Sequence, residues 1–135
     1  MSRSHAKHNK NACKFIKDSE QFNDWVITTA YYSAMHFMQS ELFPGQFESP
    51  VNGKIKSFAS FDKYYHETDG FTKHGLLLNL VEEHVDDEDV INGFTSLKEL
   101  CWTARYTTYS YSNEIAEECY KNLELIEEYC DKVQI

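Results

Sequence analysis

The sequence predicts an all-α protein, an antiparallel up-and-down bundle of four to five helices that forms one domain over residues 1–135. Apolar residues recur at three- and four-residue spacing in several long segments, which is typical of amphipathic helices. The stretch from Asp24 to Met38 is apolar nearly all round, so its helix has to be enclosed by others. With nine Phe, nine Tyr and two Trp in 135 residues, one domain has enough apolar surface for a dense core.

Caps and helix breakers predict the first two helices. The first covers Ala6–Asp18, with Ala12, Phe15 and Ile16 facing inward. After a short break, Asn23 can cap a second helix, because its side-chain oxygen can accept from a free amide of the first turn. This helix runs to about Phe43, where a Pro-Gly pair stops it.

After a predicted loop over Gln46–Gly53, the sequence predicts further helices with a break at Tyr106–Ser112, and no strand is predicted. Lys54–His66 is expected to form a third helix, and Thr72–Val85 a fourth. Asp86 can cap a fifth helix, which runs to about Tyr106. Ser112 then caps the final helix. Its inward-facing residues alternate by four and three: Ile115, Cys119, Leu123, Ile126, Cys130 and Val133.

The net charge of −9 argues against a sequence-independent grip on DNA or RNA, which needs clustered cations. Four lysines near the N-terminus fall at helical spacing, either as a modest basic stripe or as an ordinary solvated face: Lys7, Lys10, Lys14 and Lys17. The four cysteines form no C-x-x-C pair and are interpreted as reduced core thiols, with a nucleophilic Cys101 as the alternative. We expect a soluble, cytoplasmic protein without cofactor, signal region or membrane association.

Three side chains on predicted helices are candidates for chemistry. Arg105 ends an apolar helix beside tyrosines, where it can either stack on rings and bind an anion or interact with the last carbonyls of its helix. His36 lies one turn after Tyr32 on the same face and is a base, a ligand or a hydrogen-bonded core residue. His74 opens a helix, where free amides favour anions.

The acidic run from Glu82 to Asp89, which includes His84, is interpreted as a helix junction and not as a metal site. Di-iron bundles need E-x-x-H on facing helices, and that spacing does not occur here. We therefore predict no metal site, and the carboxylates are expected at the following helix N-terminus.

Four segments resemble the HEPN superfamily, the higher eukaryotes and prokaryotes nucleotide-binding domain. They are Ala30–His36, similar to the family's A-Y-Y-A-x-[FLM]-H helix; the Lys73-His74 helix start; Leu97–Tyr106, similar to L-x-x-L-R-x-x-A-[DR]-Y; and Asn113–Tyr129, similar to the last helix. The resemblance leaves out Phe43–Gly70. It implies a bundle of four or five helices, usually dimeric, with R-x4–6-H acting on RNA at the dimer interface of the ribonuclease members.

This sequence departs from that R-x4–6-H pattern. After Arg105, the three positions where histidine would stand hold serine and tyrosine, namely Ser110, Tyr111 and Ser112, and Tyr109 directly precedes them. The resemblance therefore implies a catalytically silent, dimeric interaction module that acts through a partner, such as a nucleotidyltransferase-type or toxin–antitoxin protein.

Two alternatives use Arg105 at a site. One is a metal-independent ribonuclease in which His36 or His74 is the acid or base and Tyr32, Tyr106 or Tyr109 orients the ribose. The other is a small-anion or nucleotide pocket between the second and fifth helices, where tyrosine rings stack on a base.

Overall fold

A computed structural model describes residues 2–68, 70–107 and 110–133. These residues form helices and one small β-hairpin, so the predicted all-α class is confirmed. The elements are α1 Ser2–Ser19, α2 Asn23–Leu42, β1 Gly45–Glu48, β2 Ile55–Phe58, α3 Phe61–His66, α4 Lys73–His84, α5 Glu88–Tyr106 and α6 Asn113–Val133. The four long helices, α1, α2, α5 and α6, pack together as a bundle, and α4 packs on α5 and α2.

Helix α2 lies at the centre of the bundle, as its lack of a polar face predicts. The Ser33 hydroxyl donates to the Ala6 carbonyl of α1 over 2.6 Å, and the Cys13 thiol donates to the Val26 carbonyl. The order of these two contacts is reversed along the two helices, so α1 runs antiparallel to α2. On another side of α2, the Cys130 thiol of α6 donates to the Phe37 carbonyl. Neighbours on several sides therefore enclose α2.

The basic stripe of α1 faces acidic residues of α6. Lys10 pairs with Glu127, and Lys17 pairs with Glu117 at 3.0 Å. Arg3 extends the series by contacting Asp131, and its partners run in the opposite direction along α6. Two of the four lysines of the stripe are thus paired between two antiparallel helices, whereas Lys14 pairs with Asp18 of its own helix. The helix also starts before the predicted Ala6, because Arg3 and a buried Ala6 hold its first turns against the bundle.

Two predicted inward positions are wrong. Phe15 is 78% exposed, because Cys13 is fully buried and a side chain two residues further along a helix points away from the core. Ile115 is 38% exposed, because the core stripe of α6 begins one residue later, at Ala116.

The helix predicted over Lys54–His66 is wrong in its first half, and so is the expectation of no strand. Ile55–Phe58 is β2, which pairs antiparallel with β1 so that Gly45 lies opposite Phe58. Only Phe61–His66 is helical. The Ser60 hydroxyl starts that helix by accepting from the Lys63 amide, which separates the strand from the helix.

Two predicted caps also need correction. Phe22, not Asn23, is the cap residue of α2, and the Asn23 side chain instead donates to the Tyr111 carbonyl and to Asn113. Asp87, not Asp86, caps α5 through two backbone amides. The Ser112 cap is confirmed, since its hydroxyl accepts from the Ile115 amide at 3.2 Å. The acidic run is confirmed as a junction between α4 and α5.

Residues 2–68, 70–107 and 110–133 contain no disulfide, no membrane-spanning helix and no three-residue metal site. The cysteines Cys13, Cys101, Cys119 and Cys130 are all unpaired and buried, as predicted. In this part of the chain, no helix combines the length and the apolar character needed to cross a bilayer. Likewise, no group of three His, Cys, Asp or Glu side chains in it could hold a metal ion.

Candidate anion-binding pocket

A cavity of about 590 Å³ opens between α2, α4 and α5. Its volume lies in the range of small-molecule sites. The sequence predicts a pocket between the second and fifth helices. In the structure, α4 forms a third wall of the cavity. The lining residues are Tyr31, Tyr32, Thr72, His74, Lys98, Cys101, Trp102, Arg105 and Tyr106. No carboxylate lines the cavity among the described residues, although the whole chain has a charge of −9.

Arg105 leans across the cavity from the last turn of α5. Its guanidinium donates to the Tyr32 hydroxyl of α2, and no ion pair or bond to its own helix carbonyls is found in the described structure. The guanidinium carbon lies 5.8 Å from the Tyr32 ring centroid and 5.3 Å from that of Tyr106. These contacts fit the stacked, anion-binding interpretation of Arg105 better than the helix-terminus interpretation. Its positive charge has no acidic partner here.

His74 stands at the start of α4 and is held by Tyr31. The Tyr31 hydroxyl and the His74 Nδ1 lie 3.0 Å apart. Tyr31 is only 2% exposed, and burial raises its pKa, so the phenol keeps its proton and can donate it to Nδ1. The resulting tautomer carries the His74 proton on Nε2. The hydrogen bond from Tyr31 thus fixes the orientation of the His74 ring. In this tautomer the uncharged ring can donate a hydrogen bond to a ligand through Nε2–H.

The surroundings of His74 are cationic. Burial lowers the pKa of His74, and the positive charges of Lys98, Arg105 and Lys73 lower it further. Lys73 is paired with Asp62 at 3.2 Å. Lys98 is half-buried and, within the described residues, has no ion-pair partner. The cavity therefore holds the positive charges of Lys98 and Arg105, neither of them in an ion pair within the part of the chain that the structure describes, beside a neutral imidazole. This arrangement attracts anions.

Two exposed aromatic rings complete the cavity. Trp102 is 61% exposed and Tyr106 is 62% exposed, and their ring centroids lie 5.5 Å apart. Exposed aromatic rings next to cations are suited to stacking on a planar ligand whose other end is negative. The cavity thus offers both apolar faces and positive charge.

His36 does not line this cavity, although it shares a helix face with Tyr32. Its ring packs edge-on against His5 of α1, with centroids 5.2 Å apart, and its Nδ1 is buried without a hydrogen-bond partner. Burial lowers the pKa of His36, with His5 adding to the effect and Asp62 opposing it. The structure thus places His36 against His5 of α1 and outside the cavity that Tyr32 lines.

Three other candidates have different outcomes. Tyr109 lies outside the described residues. Tyr111 does not line the cavity, and its hydroxyl is buried without a partner. Cys101 does line it, but burial raises the pKa of its thiol, with Arg105 opposing, so it is not poised as a thiolate nucleophile.

Lys98 and Trp102 were missed at the sequence level. Neither residue is among the candidates that the sequence singles out, although both line the cavity. Their spacing carried a signal, because Lys98, Trp102 and Arg105 follow one another at intervals of four and three and so share one helix face. A face that combines cations with a large aromatic ring, at the end of an apolar helix, is unusual for a core.

A second cavity differs in its electrostatics. It has about 810 Å³, lies under the β-hairpin, and is lined by Glu48 and Glu83 with no lysine or arginine. Carboxylates repel anions, so the smaller cavity around Arg105 is the candidate anion site.

Comparisons with protein-family models, curated proteins and solved structures give no match for this chain.

Proposed function

We propose that the protein binds an anionic ligand with an aromatic base, of the nucleotide class, in the cavity between α2, α4 and α5. The supporting observation is that Lys98 and Arg105, which form no ion pair among the described residues, line the same cavity as the exposed rings of Trp102 and Tyr106. The rings would stack on the base, the cations would bind the phosphate, and His74 would donate a neutral hydrogen bond.

Calorimetric titration tests this proposal. AMP, ATP and a short RNA are titrated into the wild-type protein and into Arg105→Lys. Lysine keeps the charge but loses the planar fork, so we expect Arg105→Lys to bind about 3–10-fold more weakly. Lys121→Gln, which removes an exposed charge of α6 outside the cavity, is the matched control and should bind as wild type does. No heat with any of the three ligands at millimolar concentration would contradict the proposal.

A metal-independent ribonuclease is the second candidate, and the position of His74 beside Arg105 favours it. This reaction uses the other tautomer of His74, in which Nδ1–H donates to the Tyr31 hydroxyl and the free Nε2 accepts a proton from a ribose hydroxyl. The Arg105 guanidinium would stabilise the charge that develops on phosphate. Wild-type protein would then cleave mixed RNA in the presence of a chelator, whereas His74→Gln and Arg105→Ala would not. Equal inactivity of all three proteins excludes this candidate.

The dimeric, catalytically silent interaction module implied by the HEPN resemblance stays a proposal. Several exposed aromatic side chains on the helices or at their ends favour contact with a protein: Phe15, Phe22, Trp25, Trp102 and Tyr106. Sedimentation at micromolar concentration gives the oligomeric state, and affinity purification from the source cell would identify a partner. A monomer that co-purifies with nothing contradicts this proposal.

A further inference from the structure

The charges around the cavity suggest which kind of phosphate it takes. Lys98 and Arg105 both line the cavity, and neither forms an ion pair within the described chain. The third nearby cation, Lys73, is already neutralised by Asp62 and lies over the Tyr65 ring. The site thus presents two unmatched positive charges and, among its described lining residues, no negative one.

We propose that the pocket selects a terminal phosphate monoester, which carries two negative charges, over a phosphodiester, which carries one. This inference rests on the proposed nucleotide-binding function and specifies its ligand class. A monoester matches the charges of Lys98 and Arg105, whereas a diester leaves one of them desolvated without a counter-charge. The ligand is thus a mononucleotide, or the phosphorylated end of a chain, and not an internal segment of RNA.

The geometry assigns different roles to the two cations. Arg105 is fixed by the Tyr32 hydroxyl and by two aromatic rings, so its fork is held in place and binds either kind of phosphate. Lys98 lies seven residues earlier on α5, about 10 Å along the helix axis, and contacts no acid in the described structure. Its flexible ammonium is free to reach the second negative charge, so Lys98 is the residue that separates monoester from diester.

Three ligands that differ by single groups test the proposal by calorimetry. They are AMP, the methyl ester of AMP and adenosine, at about pH 8, where a monoester is a dianion because its second pKa is about 6. Wild-type protein should bind AMP about tenfold more tightly than the methyl ester, the size of one charge-assisted hydrogen bond. Adenosine should bind most weakly.

Lys98→Gln should reduce the preference for AMP over its methyl ester from about tenfold to about twofold or less, mainly because the affinity for AMP falls. Lys121→Gln, the matched control on α6, should keep the wild-type preference. Thermal melts followed by circular dichroism verify that both variants are folded; Lys98→Met replaces Lys98→Gln if the latter is not.

Two outcomes overturn the inference while leaving the proposed function standing. One is equal affinity of wild type for AMP and its methyl ester, and the other is an unchanged preference in a folded Lys98 variant. A third outcome, in which none of the three ligands binds at millimolar concentration, overturns the inference and the proposed function together.

Discussion

Arg105 and Tyr32 lie 73 residues apart in the sequence and on different helices, and the guanidinium of Arg105 donates a hydrogen bond to the Tyr32 hydroxyl. The same guanidinium lies over the Tyr106 ring. Arginine side chains lose considerable rotamer freedom when they bind a ligand, so an arginine that is already held loses less. The contact therefore prepares the fork for an anion without neutralising its charge.

Tyr32→Phe should weaken AMP binding about 3–10-fold, because it removes the hydrogen bond that orients Arg105 and keeps the ring. The measurement is calorimetry on folded protein. Tyr129→Phe is the control, since its hydroxyl makes only a 3.5 Å contact with Asp86, outside the cavity lining. Wild-type affinity of Tyr32→Phe would show that this contact does not prepare the site.

Tyr31→Phe should change the tautomer of His74 while leaving the fold intact. Without the Tyr31 hydroxyl, Nδ1 loses its partner at 3.0 Å, so the Nε2–H form is no longer favoured. Nitrogen chemical shifts of the imidazole report the two forms directly. We also expect a loss of about 1–2 kcal/mol in the free energy of unfolding, the cost of a lost buried hydrogen bond. Tyr120→Phe, on α6, should leave the His74 shifts unchanged, and an unchanged His74 in Tyr31→Phe would contradict the assignment.

Much of the helical framework could be predicted because the governing signals are local. The apolar stretch Asp24–Met38 predicts α2, and Ser112 predicts the start of α6. The helix predicted over Lys54–His66 was wrong in its first half because the signal is ambiguous. The spacing of Phe58 and Phe61, both buried, fits a continuous helix as well as a strand followed by a turn and a short helix. Only the pairing of Ile55–Phe58 with β1 decides between them, and that contact is not local.

The site was predictable in part. Tyr32, Arg105 and Tyr106 were singled out for their residue types, and the structure brings them to one cavity together with His74. His36 shares the face of Tyr32 but lies one turn further, where α1 and not α5 is the neighbour. Which helix covers each turn of α2 depends on tertiary packing, so helical spacing alone could not separate these two residues.

Stability should fall as the pH drops below about 6.5. The pKa values of His36 and His74 are both lowered from 6.5, mainly by burial, so the unfolded chain binds more protons than the folded chain in the range just below that value. The free energy of unfolding therefore decreases as the pH falls from 6.5 through the folded-state pKa values. Glu41 acts in the opposite direction, because burial raises its pKa above 4.5 and the folded chain therefore takes up this proton before the unfolded chain does as the pH falls.

Urea unfolding at about pH 7.5, 6.5 and 5.5 measures this dependence, which lies in the window below the ordinary histidine pKa. The double variant His36→Gln/His74→Gln should lose part of the slope. His8→Gln, an exposed histidine of α1, is the control and should keep it. A double variant with the full wild-type slope would assign the effect to other groups.

Leu123→Ala should lower the free energy of unfolding by about 2–5 kcal/mol, because Leu123 is fully buried in the core stripe of α6 and its removal leaves a cavity. The midpoint of urea unfolding should decrease with little change in slope. Leu125→Ala on the same helix is the control. Leu125 is only partly buried, so its loss should be clearly smaller, and equal losses would contradict the assigned face of α6.

Asp87→Ala should destabilise the protein by about 1 kcal/mol, whereas Asp86→Ala should cost clearly less. The Asp87 carboxylate accepts from the Asp89 amide at 3.0 Å and from the Val90 amide at 3.2 Å, so its removal leaves two amides at the start of α5 without a side-chain acceptor. Its negative charge also interacts favourably with the helix dipole. Asp86 only receives a 3.5 Å contact from Tyr129. Urea unfolding of the two variants under identical conditions makes the comparison, and a larger loss for Asp86→Ala would move the cap to the residue that the sequence predicted.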